Sequence, residues 1–142
     1  MLLNESLRLR PATPADWPMI ASLLEREQLP LAGAREHLAT FVVAVLDERV
    51  VGVAGAEVHG DVALLRSVAV EKGMQGRGIG RRMVELMLQE AARRDIAEVY
   101  LLTTSAAEYF PRFGFSPRER AGAPAALAAS AELQGACPDS AA

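Results

Sequence analysis

Cysteine is almost missing from this chain: Cys137 is the only one in 142 residues. A single thiol excludes an intrachain disulfide and fits a reducing compartment, so a cytoplasmic location is expected. No base stands near it in sequence to activate it, and it reads as a tail residue rather than a nucleophile. Histidine is equally scarce. The two present, widely spaced from each other and from Cys137, make no recognisable metal set, and no metal is expected. Charge of one sign is also lacking. A net charge of −3 leaves no electrostatic footprint for nucleic acid. The longest apolar runs, such as residues 41–46, are far too short to cross a bilayer. Met1-Leu2-Leu3-Asn4-Glu5 has neither a basic region nor a long apolar core, so neither a signal peptide nor a membrane partner is expected. No internal repeat is visible.

What remains is an ordinary globular composition, 51% apolar and 23% charged, of a length that suits a single domain over residues 1–142. Leu7-Arg8-Leu9-Arg10 alternates apolar and polar, which predicts a first strand. Thr13 and Asp16 offer N-caps for a helix whose one face carries Trp17, Ile20, Leu23 and Leu24 and which ends before Pro30. Residues 31–40 give a poor signal, with a turn of helix around 35–39. Residues 41–46 and 50–58 read as strands joined through Asp47-Glu48-Arg49. A second hairpin turns at Gly60-Asp61. Residues 63–70 and 99–103 are further strands, a short helix is expected over 105–112, and a last strand is expected to begin at Phe115. Residues 124–132 are alanine-rich and predicted helical, with Pro124 in the first turn. Hairpins followed by strand–helix–strand imply a mixed α/β sheet, mostly antiparallel, with one parallel pair and flanking helices.

The densest signal lies at residues 64–94. A buried strand ends in Val68-Ala69-Val70, and a helix begins near Gly78 with apolar residues at Ile79, Met83, Leu86, Met87 and Ala91. Between them Gln75-Gly76-Arg77-Gly78-Ile79-Gly80 sets three glycines and the cation Arg77 at a helix N-terminus, with Arg81 next in the chain. Unpaired amides and the positive pole of the helix suit an anion such as phosphate, and glycines let it approach the main chain. The alternate glycines do not fit a Rossmann G-x-G-x-x-G, and Arg81 after Gly80 rules out a P-loop.

The pattern that fits is Q/R-x-x-G-x-G/A, read from Gln75, Gly78 and Gly80. It resembles the acetyl-CoA pyrophosphate loop of the GNAT N-acetyltransferase superfamily, although Lys72 stands where that family usually has proline. The resemblance covers about residues 7–120 and implies a GNAT fold whose parallel strands splay apart to admit the pantetheine arm. It implies acetyl-CoA as co-substrate, held by Val68, Ala69, Val70, Gln75, Gly76, Arg77, Gly78, Ile79, Gly80 and Arg81, with strand amides near Val68 polarising the thioester. Homodimers through the C-terminal half are common in the family.

The Gly60-Asp61 turn also permits a register. It pairs His59 with Val62, Glu57 with Leu64 and Gly55 with Arg66, so Glu57, His59 and Arg66 share a sheet face. Plain alternation adds Val68 and Val70 to that face. Glu57 and Arg66 then form either a structural ion pair or a working site. In the second reading Arg66, with His59 nearby, binds an anionic acceptor and Glu57 takes a proton from its amine, directly or through water. An attacking amine must be neutral. At pH 7 deprotonation costs about 4.6 kcal/mol for a lysine-like amine and about 1 kcal/mol for a peptide-like α-amine. That favours a small-molecule α-amine as the acceptor over a protein lysine.

Many GNAT enzymes place a tyrosine acid four residues before the glycine of a Gly-Phe pair. Here the pair is Gly114-Phe115 and that position is Phe110, which leaves Tyr109, one residue off, as the candidate acid or as a packed aromatic. Thr104 follows the strand near the expected acceptor site and serves either the substrate or the next helix as a cap. More narrowly, LLRSVAV, YLLTTSAAEYFPRFGFSPRERAGAPAALAASAEL and CPDSAA resemble the arsenic-resistance-associated branch, similar to arsinothricin and phosphinothricin N-acetyltransferases. That branch implies a glutamate-like acceptor. A protein-amine acetyltransferase and a non-catalytic acyl-CoA-binding module are the alternatives.

Overall fold

The computed structural model describes residues 7–103, 108–117 and 124–130. Five strands form one sheet in chain order: β1 (Leu7–Pro11), β2 (Phe41–Leu46), β3 (Arg49–His59), β4 (Val62–Val70) and β5 (Glu98–Leu101). Neighbours from β1 to β4 run antiparallel, while β4 and β5 run parallel. The sheet is therefore the mixed, mostly antiparallel one expected. No helix among the described residues is long and apolar enough to cross a membrane.

Two helices cover opposite faces. Helix α1 (Trp17–Arg26) follows a 3-10 turn at Pro14–Asp16, where the Thr13 amide donates to Asp16 Oδ2 at 2.8 Å in a capping box. Asp16 also accepts two hydrogen bonds from Arg10, at 2.8 and 2.9 Å, which fasten the start of the helix to β1. Ile20, Leu23 and Leu24 then bury against Phe41, Val43, Val53 and Ala69. Helix α2 (Ile79–Arg93) buries Ile79, Met83, Val84 and Met87 against Val42, Ala44, Val51, Ala54 and Leu65 on the other face. The hydrophobic periodicities of the two helices thus fix which side of the sheet each occupies.

The hairpins follow their turn residues. Leu46 pairs with Arg49, so the first turn is the two residues Asp47 and Glu48, both at positive φ, rather than the three-residue connection expected. At the second turn His59 pairs with Val62, Glu57 with Leu64 and Gly55 with Arg66, the register predicted from Gly60-Asp61.

Beyond Arg66 the alternation slips. Val53 pairs with Ala69 although Gly55 pairs with Arg66, so β4 carries an extra residue, and Ser67 sits there with φ +58°. The bulge reverses the phase of everything after it. Val68 and Val70 pack on the α2 side and Ala69 on the α1 side, so the expectation that Val68 and Val70 share a face with Arg66 is wrong. The residue that does follow Arg66 onto that face is Ala69.

The C-terminal third differs more. Residues 115–117 form no strand, contrary to the strand expected from Phe115. In the stretch read as helix over 105–112 the described part begins as a turn and becomes a 3-10 helix at Phe110–Phe113; residues 104–107 lie outside the described set. The alanine-rich stretch forms a 3-10 helix over Ala125–Ala129, whose Leu127 buries between Val62 and Leu64.

Candidate active site

The turn from β4 into α2 is closed by its own polar groups. The Gln75 side chain donates to the Val70 carbonyl at 2.9 Å, and the Met74 amide donates to Glu71 O at 2.8 Å. Gly76 (φ +81°) and Gly78 (φ +79°) take left-handed conformations, and a Cβ at either would project into open space. Gly78 caps α2, and the first turn carries no acidic side chain. Helical geometry leaves the amides of Ile79, Gly80 and Arg81 without acceptors in the helix, since the Arg82 amide is the first to bond back, to Gly78 O at 3.1 Å. Ile79 is buried and anchors the turn to the core. Arg77 is exposed, and Arg81 reaches Glu85 on the solvent side at 3.4 Å. The loop therefore presents amides with positive helix polarity and nearby exposed cations, an arrangement suited to a diphosphate.

The β4–β5 ladder ends at Leu65 and Leu101, while β4 continues to Val70. From Arg66 to Val70 β4 runs past the last pair of that ladder and carries the Ser67 bulge, and it leads directly into the glycine loop. Tyr109 stands over the same place, its hydroxyl 3.7 Å from where a Gly80 Cβ would be, with Val70 at 3.5 Å. Its ring is held edge-on by Phe110 (5.2 Å) and Phe113 (5.4 Å), and the Arg112 guanidinium lies 4.3 Å over it. Phe110, at the position usual for tyrosine, is buried in the α2-side core.

Across the sheet, Glu57 and Arg66 bury completely. Arg66 Nη1 donates to Glu57 Oε2 at 2.6 Å, with no side-chain exposure on either partner. The same guanidinium donates to Ser67 Oγ (3.0 Å), Ala32 O (2.8 Å) and Pro30 O (3.1 Å). Arg66 thereby ties the segment after α1 to the sheet. Glu57 Oε1 contacts His59 Nε2 at 2.9 Å, and His37, from a 3-10 segment at Arg35–Thr40, stands 3.7 Å away. Burial pushes the Glu57 carboxyl up, but hydrogen bonds from His59, Arg66 and Ser130, with the Arg66 charge, outweigh it and hold the carboxyl below its usual range.

The fold gathers the predicted residues in two places. Gln75 to Arg81, with Val68, Val70 and Tyr109, lie at the loop and the end of β4; Glu57, His59 and Arg66 form one cluster on the α1 side. Thr104 lies outside the described residues. Sequence reasoning missed Ser67, His37, Ser130 and the carbonyls of Pro30 and Ala32. Only Ser67 had a local signal, as a polar residue interrupting an apolar strand. The others arrive through contacts distant in sequence, and spacing alone kept His37 and His59 apart.

Residues 6–115 match the Acetyltransferase (GNAT) family. The chain is 34% identical over 98 residues to an amino-acid acetyltransferase of Mycobacterium tuberculosis, which takes in 68% of this chain and 56% of that relative. It thus spans little more than half the length of that curated relative. Among solved structures it is similar to the Mycobacterium tuberculosis protein Rv2747 in complex with CoA and NLQ, with 30% identity, TM-score 0.73, and 83% of this chain and 76% of that one covered. It is also similar to N-acetylglutamate synthase from Neisseria gonorrhoeae complexed with coenzyme A and N-acetyl-glutamate. That match has 25% identity, TM-score 0.76, and covers 92% of this chain and 33% of that one.

Proposed function

Because the chain belongs to the GNAT acetyltransferase family, we propose that it transfers an acetyl group from acetyl-CoA to the α-amine of a small amino acid by direct attack, without an acetyl-enzyme. The observation that carries this reading is the stretch of β4 beyond its last pair with β5 at Leu65, which runs into a glycine turn where Gly76 and Gly78 border open space. The diphosphate sits on the amides of that turn and the pantetheine arm follows β4 from Ser67 to Val70. Amides at the Ser67 bulge and Val68 polarise the thioester carbonyl. The two similar structures solved with CoA support that co-substrate.

The acceptor amine approaches the α1-side cluster. Glu57, fully buried and held ionised by three donors, is a poor base by itself. His59, partly exposed and hydrogen-bonded to it, meets the amine, and Glu57 stabilises the imidazolium that forms. This division of work refines the reading in which Glu57 alone takes the proton. Arg66 acts as a positioning residue: its contacts with Pro30 and Ala32 shape the segment facing the acceptor. Tyr109 returns a proton to the departing thiolate. Thr104 keeps its proposed place beside the acceptor on the sequence pattern, and the single cysteine fits action in the cytoplasm.

The neighbour that holds N-acetyl-glutamate supports a glutamate-like acceptor. The narrower proposal, on the sequence resemblance, is such an amino acid carrying an arsinate or phosphinate, as in arsinothricin and phosphinothricin. The test is thiol release from acetyl-CoA with a panel of glutamate, glutamine, phosphinothricin, arsinothricin and a lysine peptide. Turnover confined to the α-amino acids supports the proposal. CoA binding with no turnover on any amine replaces it with a non-catalytic acyl-CoA-binding module.

A further inference from the structure

The two histidines, 22 positions apart, meet at one carboxylate oxygen. Glu57 Oε1 lies 2.9 Å from His59 Nε2 and 3.7 Å from His37 Nε2, and one donor atom from each residue falls within 4.8 Å of the others. The imidazole centroids are 5.6 Å apart at a tilt of 57°. Exposure rises outward through the trio, from 0% for the Glu57 side chain through 14% for His59 to 30% for His37.

We propose that His37, Glu57 and His59 form a binding site for a borderline divalent cation, with Zn2+ the best fit. Bonds of roughly 2.0–2.2 Å in a tetrahedron set donor atoms about 3.3 Å apart. The separations from Glu57 Oε1, 2.9 and 3.7 Å, bracket that value, so small side-chain adjustments close the site. Two imidazoles and one carboxylate select zinc and its late first-row neighbours over Mg2+ and Ca2+, which prefer oxygen donors.

The surroundings of Glu57 specify how it binds. Oε2 is held by Arg66 at 2.6 Å and Ser130 also donates to the carboxylate, so Glu57 binds through Oε1, the oxygen beside both imidazoles. For neutral His59, binding needs only a change of tautomer: the proton on Nε2, now directed at Glu57, moves to Nδ1, and Nε2 takes the ion. The positive Arg66 opposes the incoming cation, so the site is weaker than a closed structural zinc site. Water fills the outer position beside His37. A bound ion ties the 3-10 segment carrying His37 to β3. It also occupies the groups proposed to receive the amine proton, so Zn2+ inhibits acetyl transfer reversibly. The binding itself does not depend on that reaction.

The experiment titrates the full chain, stripped with a chelator and exchanged into clean buffer, with Zn2+ against a chromophoric chelator, and repeats this for His37→Gln and His59→Gln. One saturable equivalent in the unaltered chain is expected, untouched by millimolar Mg2+ and weakened at least tenfold in each variant. No saturable uptake, or binding by His37→Gln equal to that of the unaltered chain, overturns the proposal. Circular dichroism checks each fold. Should His59→Gln fail to fold, His37→Gln decides alone, because its side chain is the most exposed of the three. The readout is binding, so a chain that takes Zn2+ but, stripped of metal, acetylates nothing refutes the proposed function and leaves this site standing.

Discussion

Arg66 Nη1 meets Glu57 Oε2 at 2.6 Å with neither side chain exposed to solvent. A buried pair of this kind adds little over an apolar pair of the same shape, but removing one partner leaves the other charge unmatched. Arg66→Leu is expected to cost about 3–5 kcal/mol in urea unfolding at pH 7. The Glu57 carboxyl is held below its ordinary value, so its contribution is present above the unfolded-state value and fades as pH falls through the folded one. A loss in Arg66→Leu no larger than that of an exposed arginine such as Arg82→Leu would show that the pair does not hold the fold.

Asp16 is the clearer case for pH. The hydrogen bonds from Arg10 lower its carboxyl, burial opposes them, and the Thr13 amide and hydroxyl lower it further, to about 2. The unfolded chain binds the proton more readily than the folded one between that value and the ordinary value of 3.8, so stability rises with pH across this window. Asp16→Asn is expected to lose about 2 kcal/mol at neutral pH, with the deficit shrinking as pH falls from 4 toward 2. Parallel stability curves for the two proteins across that interval would contradict it.

Gly55 lies under Phe41. A Cβ there would fall 2.3 Å from the ring of a side chain that is 1% exposed. Gly55→Ala therefore overpacks the α1-side core and is expected to cost about 1–3 kcal/mol. Adding Phe41→Leu should return part of the loss, a non-additivity that a double-mutant cycle in denaturant reads directly.

At Gly78 the backbone is left-handed and the helix N-terminus faces open space. Gly78→Asp places a carboxylate where the coenzyme's diphosphate is proposed to sit. Coenzyme A affinity by calorimetry should fall by about tenfold or more, beyond the loss of about 1 kcal/mol in stability that a side chain at this positive φ brings. Unchanged affinity would remove the loop from cofactor binding.

Tyr109 presents its hydroxyl beside Gly80 although it sits one residue from the family's usual position. Tyr109→Phe is expected to lower kcat by about 10²-fold with the KM for acetyl-CoA little changed, the pattern of a lost proton donor. The same kcat in both proteins would reduce Tyr109 to a packed aromatic.

Much of the fold is legible in the residues alone because its determinants are local. Alternation in β1, the helical stripes of α1 and α2, and the Gly60-Asp61 turn each act over a few positions. Turn length then sets the register, which puts Glu57 opposite Leu64. The glycine loop is legible for the same reason, since positive φ at Gly76 and Gly78 is written in the residue type. The strand expected from Phe115 is not begun in residues 115–117, and residues 118–123, where it would continue, lie outside the described residues.

Tertiary structure decided what local chemistry leaves open. Nothing in the pattern of LLRSVAV specifies a bulge at Ser67, because the insertion is settled by how β4 meets β3, and it alone sends Val68 and Val70 to the α2 side. Whether Glu57 is exposed or surrounded by donors depended on where His37, Ser130 and the segment after α1 come to rest. Those contacts join positions far apart in the chain. Their energies exist only once packing has brought the partners together, so the sequence determined the elements and the cofactor turn, while the assembled sheet decided the chemistry of the acceptor face.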